Sequence, residues 1–280
     1  MHEKNTMIPD WIRTAPYDKE SFLKTKELVQ EYNLNTVCME ADCPNRYECF
    51  SKGTATFMIL GDTCTRNCRY CNINKGKPKE VDPDEPQRIA QAVKKLDLNY
   101  AVITCVTRDD LEDGGAGQFA RTIERIRKLS PGCKIEVLIS DMKGDLGALK
   151  KIIDAGPDVL NHNIEVVRGL FSELRPQGNY DVSLKILEKG KESGLKTKSG
   201  FMLGFGEDES QIINTLRDLR DAGCNIVTIG QYLKPDKGLD VRKYYTPEEF
   251  KGIEEKANKL GIRGVLAGPL VRSSYKAGEI

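Results

Sequence analysis

From Thr54 onward, short apolar runs alternate with stretches whose apolar residues recur at helical spacing. Thr54 to Leu60 is a β-type run closed by Gly61, and similar runs recur near 100–106, 134–140, 157–162, 196–204 and 226–232. Between them, 117–129, 145–154, 181–192 and 209–221 read as amphipathic helices. Asp82-Pro83-Asp84-Glu85 predicts a helix start, with a cap, a proline at the first position and an acid at the third. Thr246-Pro247-Glu248-Glu249 repeats that signature ahead of Phe250, Ile253, Ala257 and Leu260. The β-runs are too continuously apolar to face water on one side, which favours parallel strands covered by helices. About six strand–helix units result, a pattern shared by doubly wound sheets and by full or partial barrels. In either architecture function gathers at the C-terminal ends of the strands.

The first fifty or so residues break this rhythm. Pro9 to Arg13 reads as an irregular entry, and Ser21 to Glu31 as one short helix. From Cys38 to Cys49 there is little periodicity, so a compact excursion organised by its cysteines is expected. Cys64 follows the first strand by four residues, which puts its group of cysteines on a loop at the functional face.

Composition narrows the class. Charged residues make up 30% and hydrophobic ones 39% of 280, as in soluble globular proteins. A net charge of +1 gives no field for nucleic acid or an anionic membrane, and Lys75, Lys77 and Lys79 lack interleaved stacking aromatics. No apolar run approaches the ~20 residues that span a bilayer. Met1 to Asp10 lacks the apolar stretch of a secretory leader, so the cytoplasm is the expected compartment. There, clustered cysteines read as metal sites rather than disulfides.

Six of the nine cysteines fall in two groups of three. In Cys64-x3-Cys68-x2-Cys71, three thiolates on a tight loop can each hold one iron of a four-iron cubane, leaving the fourth iron open to a small chelating molecule. A structural zinc would want a fourth ligand nearby, and His162 lies in a different loop. This spacing after a first strand, with Tyr70 before the last cysteine, resembles the radical S-adenosylmethionine superfamily. The resemblance implies that S-adenosylmethionine binds the open iron and yields a carbon radical that abstracts a substrate hydrogen.

The other group, Cys38-x4-Cys43-x5-Cys49, reads as a structural zinc site, as reduced core cysteines, or as an auxiliary iron–sulfur cluster. Together with Pro44-Asn45, Thr107 to Leu111, Asp113-Gly114-Gly115, Asn161 to Glu165, Arg175-Pro176 and Arg272-Ser273-Ser274-Tyr275, the pattern is similar to the lipoyl synthase family over nearly the whole chain. The implied fold is a partial TIM barrel of about six β/α units over 53–268. An N-terminal extension, 1–52, carries the auxiliary motif, and a tail, 269–280, closes that cluster. The resemblance implies two 4Fe-4S clusters and S-adenosylmethionine as cofactors. Cys64, Cys68 and Cys71 would hold one cluster, and Cys38, Cys43 and Cys49 the other. The tail serine that completes the second set is assigned to Ser273, with Ser274 as the alternative. Gly114, Gly115, Asn163, Glu165 and Arg175 are the implied contacts to S-adenosylmethionine.

The implied reaction inserts two sulfur atoms, at carbons 6 and 8, into an octanoyl group amide-linked to a carrier lysine, consuming the auxiliary cluster. The implied substrate is an octanoylated lipoyl carrier domain, of the glycine cleavage H protein or 2-oxoacid dehydrogenase E2 type. A flavodoxin or ferredoxin would supply electrons, and an iron–sulfur carrier would rebuild the cluster. No nucleic acid or membrane enters. A biotin synthase-like or methylthiolase-like enzyme is the first alternative, and a non-catalytic iron–sulfur or zinc scaffold the second. Cys105, Cys133 and Cys224 read as small packed side chains. Arg66, Arg69 and Arg108 read as loop cations, solvated or touching the carrier or a carboxylate. Asp113 is read as local polarity and His162 as a structural or contact residue.

Overall fold

The computed structural model describes residues 8–235 and 238–279. The first seven residues, most of the stretch considered as a leader, lie outside the described residues. Eight strands form the main sheet: β1 (Asn35–Thr36), β2 (Thr56–Ile59), β5 (Tyr100–Cys105), β6 (Lys134–Leu138), β7 (Val159–Asn161), β8 (Lys196–Leu203), β9 (Ile226–Gln231) and β10 (Gly264–Gly268). They lie side by side in that order. All neighbours from β2 to β10 pair in parallel, while β1 lies antiparallel on the edge of β2. The sheet is curved but not closed, a partial TIM barrel. β3 (Thr63–Cys64) and β4 (Asn74–Lys75) make a separate two-residue pair.

Helices α4 (Glu85–Lys95), α5 (Ala116–Leu129), α6 (Leu146–Asp154), α7 (Arg168–Leu174), α8 (Tyr180–Glu192), α9 (Glu209–Asp221) and α10 (Pro247–Lys259) return the chain between strands. Strands β2 and β9 are buried along their whole length, as parallel strands covered by helices require. Side chains alternate across the sheet. Ile135, Val137 and Leu160 pack into the helix-facing core with Phe119 and Ile123, while Glu136 and Asn161 point into the barrel and are also fully buried. A second core joins Phe171, Leu203, Leu216, Val227 and Phe250. Each such phenylalanine contributes ~2–3 kcal/mol by leaving water.

The extension and the tail pack on each other. Helix α1 (Lys19–Glu31) is capped by Asp18, whose carboxylate accepts from the Ser21 amide. Short helices α2 (Val37–Glu40) and α3 (Arg46–Ser51) carry the first cysteine group. Phe22 of α1 contacts Tyr47 and Phe50 of α3, with ring centroids 5.2 and 5.7 Å apart. Asn45 donates to the Leu270 carbonyl at 2.7 Å, and the Tyr275 hydroxyl to Glu48 at 3.0 Å. After β10 the tail crosses the barrel. The Val271 carbonyl lies 2.1 Å from where a Cβ on Gly230 of β9 would stand, so only glycine admits that crossing. Ser273 then reaches Asn161 at the end of β7, and Gly278 lies against Tyr100 of β5.

Thr246 and Glu249 form the expected capping box of α10. At α4 the start differs: Asp82 accepts from the Asp84 amide in a local turn, and the helix begins at Glu85 with Pro86 in its first turn. Strand β10 and helix α7 escape the sequence pattern because each is short and carries too few apolar positions to set a period.

Candidate active site

The second cysteine group sits on a loop fixed at every side. Its entry is the left-handed pair Leu60 (φ 71°) and Gly61 (φ 92°) at the end of β2. The Leu60 amide donates to Glu85 at 2.9 Å, and its carbonyl accepts from Arg108 at 3.2 Å. The β3–β4 pair closes the loop at Cys64. Thr65 bonds the Thr107 carbonyl beyond β5, and the Arg69 amide donates to Leu174 at the end of α7. Arg66 turns inward and grips two carboxylates, Asp109 and Asp141, with four hydrogen bonds of 2.6–2.9 Å. Of the readings open for Arg66 and Arg108, contact with a carboxylate is the one that holds: both are buried and paired with carboxylates within the chain. Arg69 is the exposed member and pairs with Glu173.

Cys64, Cys68 and Cys71 all lie on this loop, near enough for one another's charge to be felt. Burial pushes the Cys71 thiol up to about 12, and the neighbouring Cys68 and Cys64 add to the rise. Burial also raises Cys68, against the pull of the Arg175 guanidinium. Tyr70 between them meets Phe205 edge-on at 6.4 Å.

Three of the predicted cofactor contacts gather at the same place. Buried Arg175 donates to the Asn163 carbonyl at 3.0 Å. The Asn163 side chain bonds the Glu165 carboxylate, whose pKa burial raises and Arg175 restrains. Both Glu165 and Arg175 lie within electrostatic reach of Cys68.

Gly114 and Gly115 hold positive φ, and their smallness answers a packing need. A Cβ on Gly115 would stand 2.2 Å from Leu60, and one on Gly114 3.3 Å from Met142. Asp113 caps the turn by accepting from Gly115 and Gly117. The His162 Nδ1 faces the Ile139 carbonyl at 2.9 Å, while its Nε2 is buried without a partner among the described residues. Burial and Arg175 lower its pKa to about 4, so the ring is neutral near pH 7.

The first cysteine group lies at the other end of the strands. A cavity of about 410 Å³ there is lined by Cys38, Cys49 and Ser274, with Thr56 and Tyr100 from the starts of β2 and β5. Burial raises the Cys38 thiol to about 11, with Cys43 adding, and the Cys49 thiol to about 12, with Cys38 and Cys43 adding. Cys43, likewise raised by burial, is pulled back by Arg272 and Arg46. The two tail serines part company. Ser273 accepts from Asn161 and donates to the Asn163 side-chain oxygen, both at 2.9 Å, whereas Ser274 lines the cavity of Cys38 and Cys49.

Each trio thus offers three soft donors and nearby arginine charge, Arg175 for one and Arg272 with Arg46 for the other, to balance an anionic cluster, which fits iron–sulfur ligation. Among the described residues no three such donors converge on one ion-sized point, and a cubane, which takes each thiolate on a different iron, does not require it. Cys133 and Cys224 are buried and packed as expected, while Cys105 lies near enough to Cys64 for its charge to be felt.

Residues 58–219 match the family model of the radical SAM superfamily. A curated lipoyl synthase of Caldicellulosiruptor saccharolyticus is 50% identical over 277 residues, 98% of this chain and 97% of that one. The chain belongs to the lipoyl synthase family. The lipoyl synthase of Rubrobacter xylanophilus is also 50% identical, over 97% of this chain and 85% of that protein. Among solved structures, methylornithine synthase (PylB) superposes with a TM-score of 0.59 at 15% identity, over 89% of this chain and 72% of that one. HydG, a maturase of the [FeFe]-hydrogenase, gives 0.61 at 13%, over 89% and 63%. These two likenesses concern the fold alone. As a lipoyl synthase family member and radical SAM protein, the chain is a radical enzyme with a 4Fe-4S cluster and S-adenosylmethionine. No helix among the described residues is long and apolar enough to cross a membrane.

Sequence reasoning missed Asp141, the partner of Arg66, and the buried barrel residues Glu136 and Lys198, and it quoted Asn161 and Arg272 within matched segments without giving either a role. A charged residue inside a tight cysteine loop, as Arg66 is, was the one available signal.

Proposed function

We propose that this chain inserts two sulfur atoms, at carbons 6 and 8, into an octanoyl group carried on the lysine of a lipoyl domain. The single observation that carries this reading is the sorting of six cysteines into two separate trios at opposite ends of one barrel. Cys64, Cys68 and Cys71 hold the radical cluster, and Cys38, Cys43 and Cys49 the auxiliary one. When bound, the first cluster with S-adenosylmethionine supplies a radical able to take hydrogen from an unactivated methylene, and the second supplies sulfide.

The chain's own residues position these groups. Arg175 is placed to accept a carboxylate through charge-assisted hydrogen bonds. Glu165, with Asn163 orienting it, is placed for an ammonium or hydroxyl group. Gly114 and Gly115 leave the adjacent backbone open to the amino end of the cofactor. Arg66 holds the loop that aims the radical-cluster thiolates. In the auxiliary set Ser274 is the better fourth ligand, because Ser273 already spends its hydroxyl on two asparagines while Ser274 faces Cys38 and Cys49.

Residues 1–52 and 269–280 then act together as the auxiliary-cluster holder around a 53–268 barrel. The setting is protein lipoylation in the cytoplasm. Its carrier is of the glycine cleavage H protein or 2-oxoacid dehydrogenase E2 type, its electron donor a flavodoxin or ferredoxin, and an iron–sulfur carrier rebuilds the spent cluster.

The test is mass spectrometry of an octanoylated carrier domain incubated anaerobically with reconstituted enzyme, reductant and S-adenosylmethionine. The mass should rise by two sulfur atoms, each C–H becoming C–S–H, as the product under reductant is the dithiol. An unmodified carrier together with active desthiobiotin conversion would instead establish the biotin synthase-like alternative.

A further inference from the structure

Between the two cluster sites the barrel holds a chain of buried polar side chains. Glu136 of β6 and Lys198 of β8 are fully buried and paired at 3.1 Å. The same Glu136 oxygen accepts from the Tyr100 hydroxyl at 2.7 Å, and its other oxygen from Asn161 at 2.7 Å. Asn161 gives its second amide hydrogen to Ser273 at 2.9 Å. Both hydrogens are thereby committed, and turning the amide over would aim its oxygen at the Glu136 carboxylate. That orientation makes Asn161 a donor toward Ser273, so Ser273 must accept from it and donate onward to Asn163.

The cost of this arrangement is visible in the Asn161 Oδ1, one of three buried side-chain atoms without a partner among the described residues. Apolar side chains would fill the same space without a buried charge pair. What the polar chain adds is a fixed position for the tail. It grips at two points: at Ser273 through Asn161, and at Tyr100, whose Cβ would lie 3.2 Å from a Cβ on Gly278. Ser274 lies between those grips.

We propose that Ser273 is a positioning residue: its hydrogen bonds to Asn161 and Asn163 latch the tail at the one register that turns Ser274 toward Cys38 and Cys49. This rests on the reading that Ser274 completes the auxiliary cluster. A tail slipped by one residue would present Ser273 to the cysteines, leaving the amide of Asn161 and the oxygen of Asn163 unpaired inside the barrel, which buried polar groups resist.

The test uses the full chain carrying Cys64→Ala, Cys68→Ala and Cys71→Ala, reconstituted anaerobically so that all cluster iron belongs to the auxiliary site. Iron per chain, the Mössbauer spectrum and the rate of iron release to a chelator are measured. Ser274→Ala should lose one iron of about four per chain. Ser273→Ala should load the full set but release it about tenfold faster, the effect of one or two lost buried hydrogen bonds. Ser273→Thr, which keeps the hydroxyl, should restore the original rate. Hydrogen exchange should rise in Ser273→Ala over 269–279 and stay unchanged in α10. An unchanged release rate, or exchange rising evenly along the chain, overturns the latch while leaving the ligand assignment standing. Loss of one iron in Ser273→Ala with full loading in Ser274→Ala overturns the ligand assignment itself.

Discussion

Replacing Arg66 by methionine keeps most of the side-chain volume and removes one charge from the centre of the cluster loop. The Arg66 side chain is 2% exposed, Asp141 3% and Asp109 21%. Burial alone would disfavour the charge on Arg66, yet the two carboxylates outweigh it and its pKa rises. The converse holds at Asp141, where Arg66 overcomes burial and the pKa falls. Without Arg66, Asp141 keeps the Lys143 amide at 3.0 Å and Arg175 at 3.8 Å, and Asp109 turns toward water. Removing one partner of a buried ion pair costs about 3–5 kcal/mol. The partial exposure of Asp109 lowers its share, so a loss of about 3 kcal/mol is expected for Arg66→Met. Arg66→Lys should recover part of that, since an ammonium satisfies one carboxylate but not two in parallel.

Anaerobic urea unfolding of the cluster-loaded protein measures this loss, and S-adenosylmethionine cleavage reports whether the loop still presents its thiolates. Adding Asp109→Asn and Asp141→Asn to Arg66→Met should return stability toward the starting value, because the damage comes from the stranded charges. A loss below about 1 kcal/mol for Arg66→Met would refute the reasoning, showing that both carboxylates are rehydrated at little cost.

Gly115→Ala should destabilise by about 2–3 kcal/mol in thermal unfolding, since its φ of 94° is unfavourable for alanine and the new Cβ would strike Leu60. His162, with a pKa near 4 in the fold against 6.5 free, takes up its proton first in the unfolded chain. Its contribution to stability is therefore complete above pH 6.5 and falls as pH drops toward 4, by about 1 kcal/mol at pH 5.5. His162→Gln should flatten that loss in urea titrations at pH 7.5 and 5.5, and an unchanged pH profile would contradict the buried, neutral ring. Cys38→Ala should keep 5'-deoxyadenosine formation and abolish sulfur insertion, whereas Cys68→Ala should abolish both. Lipoyl product from Cys38→Ala would remove the auxiliary cluster as the sulfur source.

The strands and helices of the barrel were legible because burial imposes period. Runs such as Ala101 to Cys105 or Ile226 to Gln231 have only one environment in which they stay dry, between helices. The capping box at Thr246 was equally plain, being a local matter of four residues. Spacing revealed the two cysteine trios as well, since a loop that must place three thiolates on one cluster has few lengths available. What spacing carries no trace of is contact between distant segments. Spacing left Arg66 open between water, carrier and carboxylate because its partners are 43 and 75 residues away. The glycines at 114 and 115 suggested a ligand, and the fold adds a packing reason for their smallness that spacing does not carry, Leu60 and Met142 pressing on them.

The two adjacent serines show where that boundary falls. Both are small and half-buried, and both stand beside Arg272, so no local rule ranks them. Their difference comes from what the barrel offers on either side: Asn161 and Asn163 toward one, Cys38 and Cys49 toward the other. Asn161 in turn is oriented by Glu136, which is held by Lys198 and Tyr100 on neighbouring strands. With Ser274 as the proposed ligand, the choice between the serines is made by residues up to 174 positions away in the chain. A neutral hydroxyl is a weak partner for iron beside thiolates, so its bond must be set by placement rather than affinity. A ligand that the cluster can shed suits a site whose sulfur is to be given up. On the proposed latch, a tail gripped on both sides of Ser274 would bring it back to the same register each time the cluster is rebuilt.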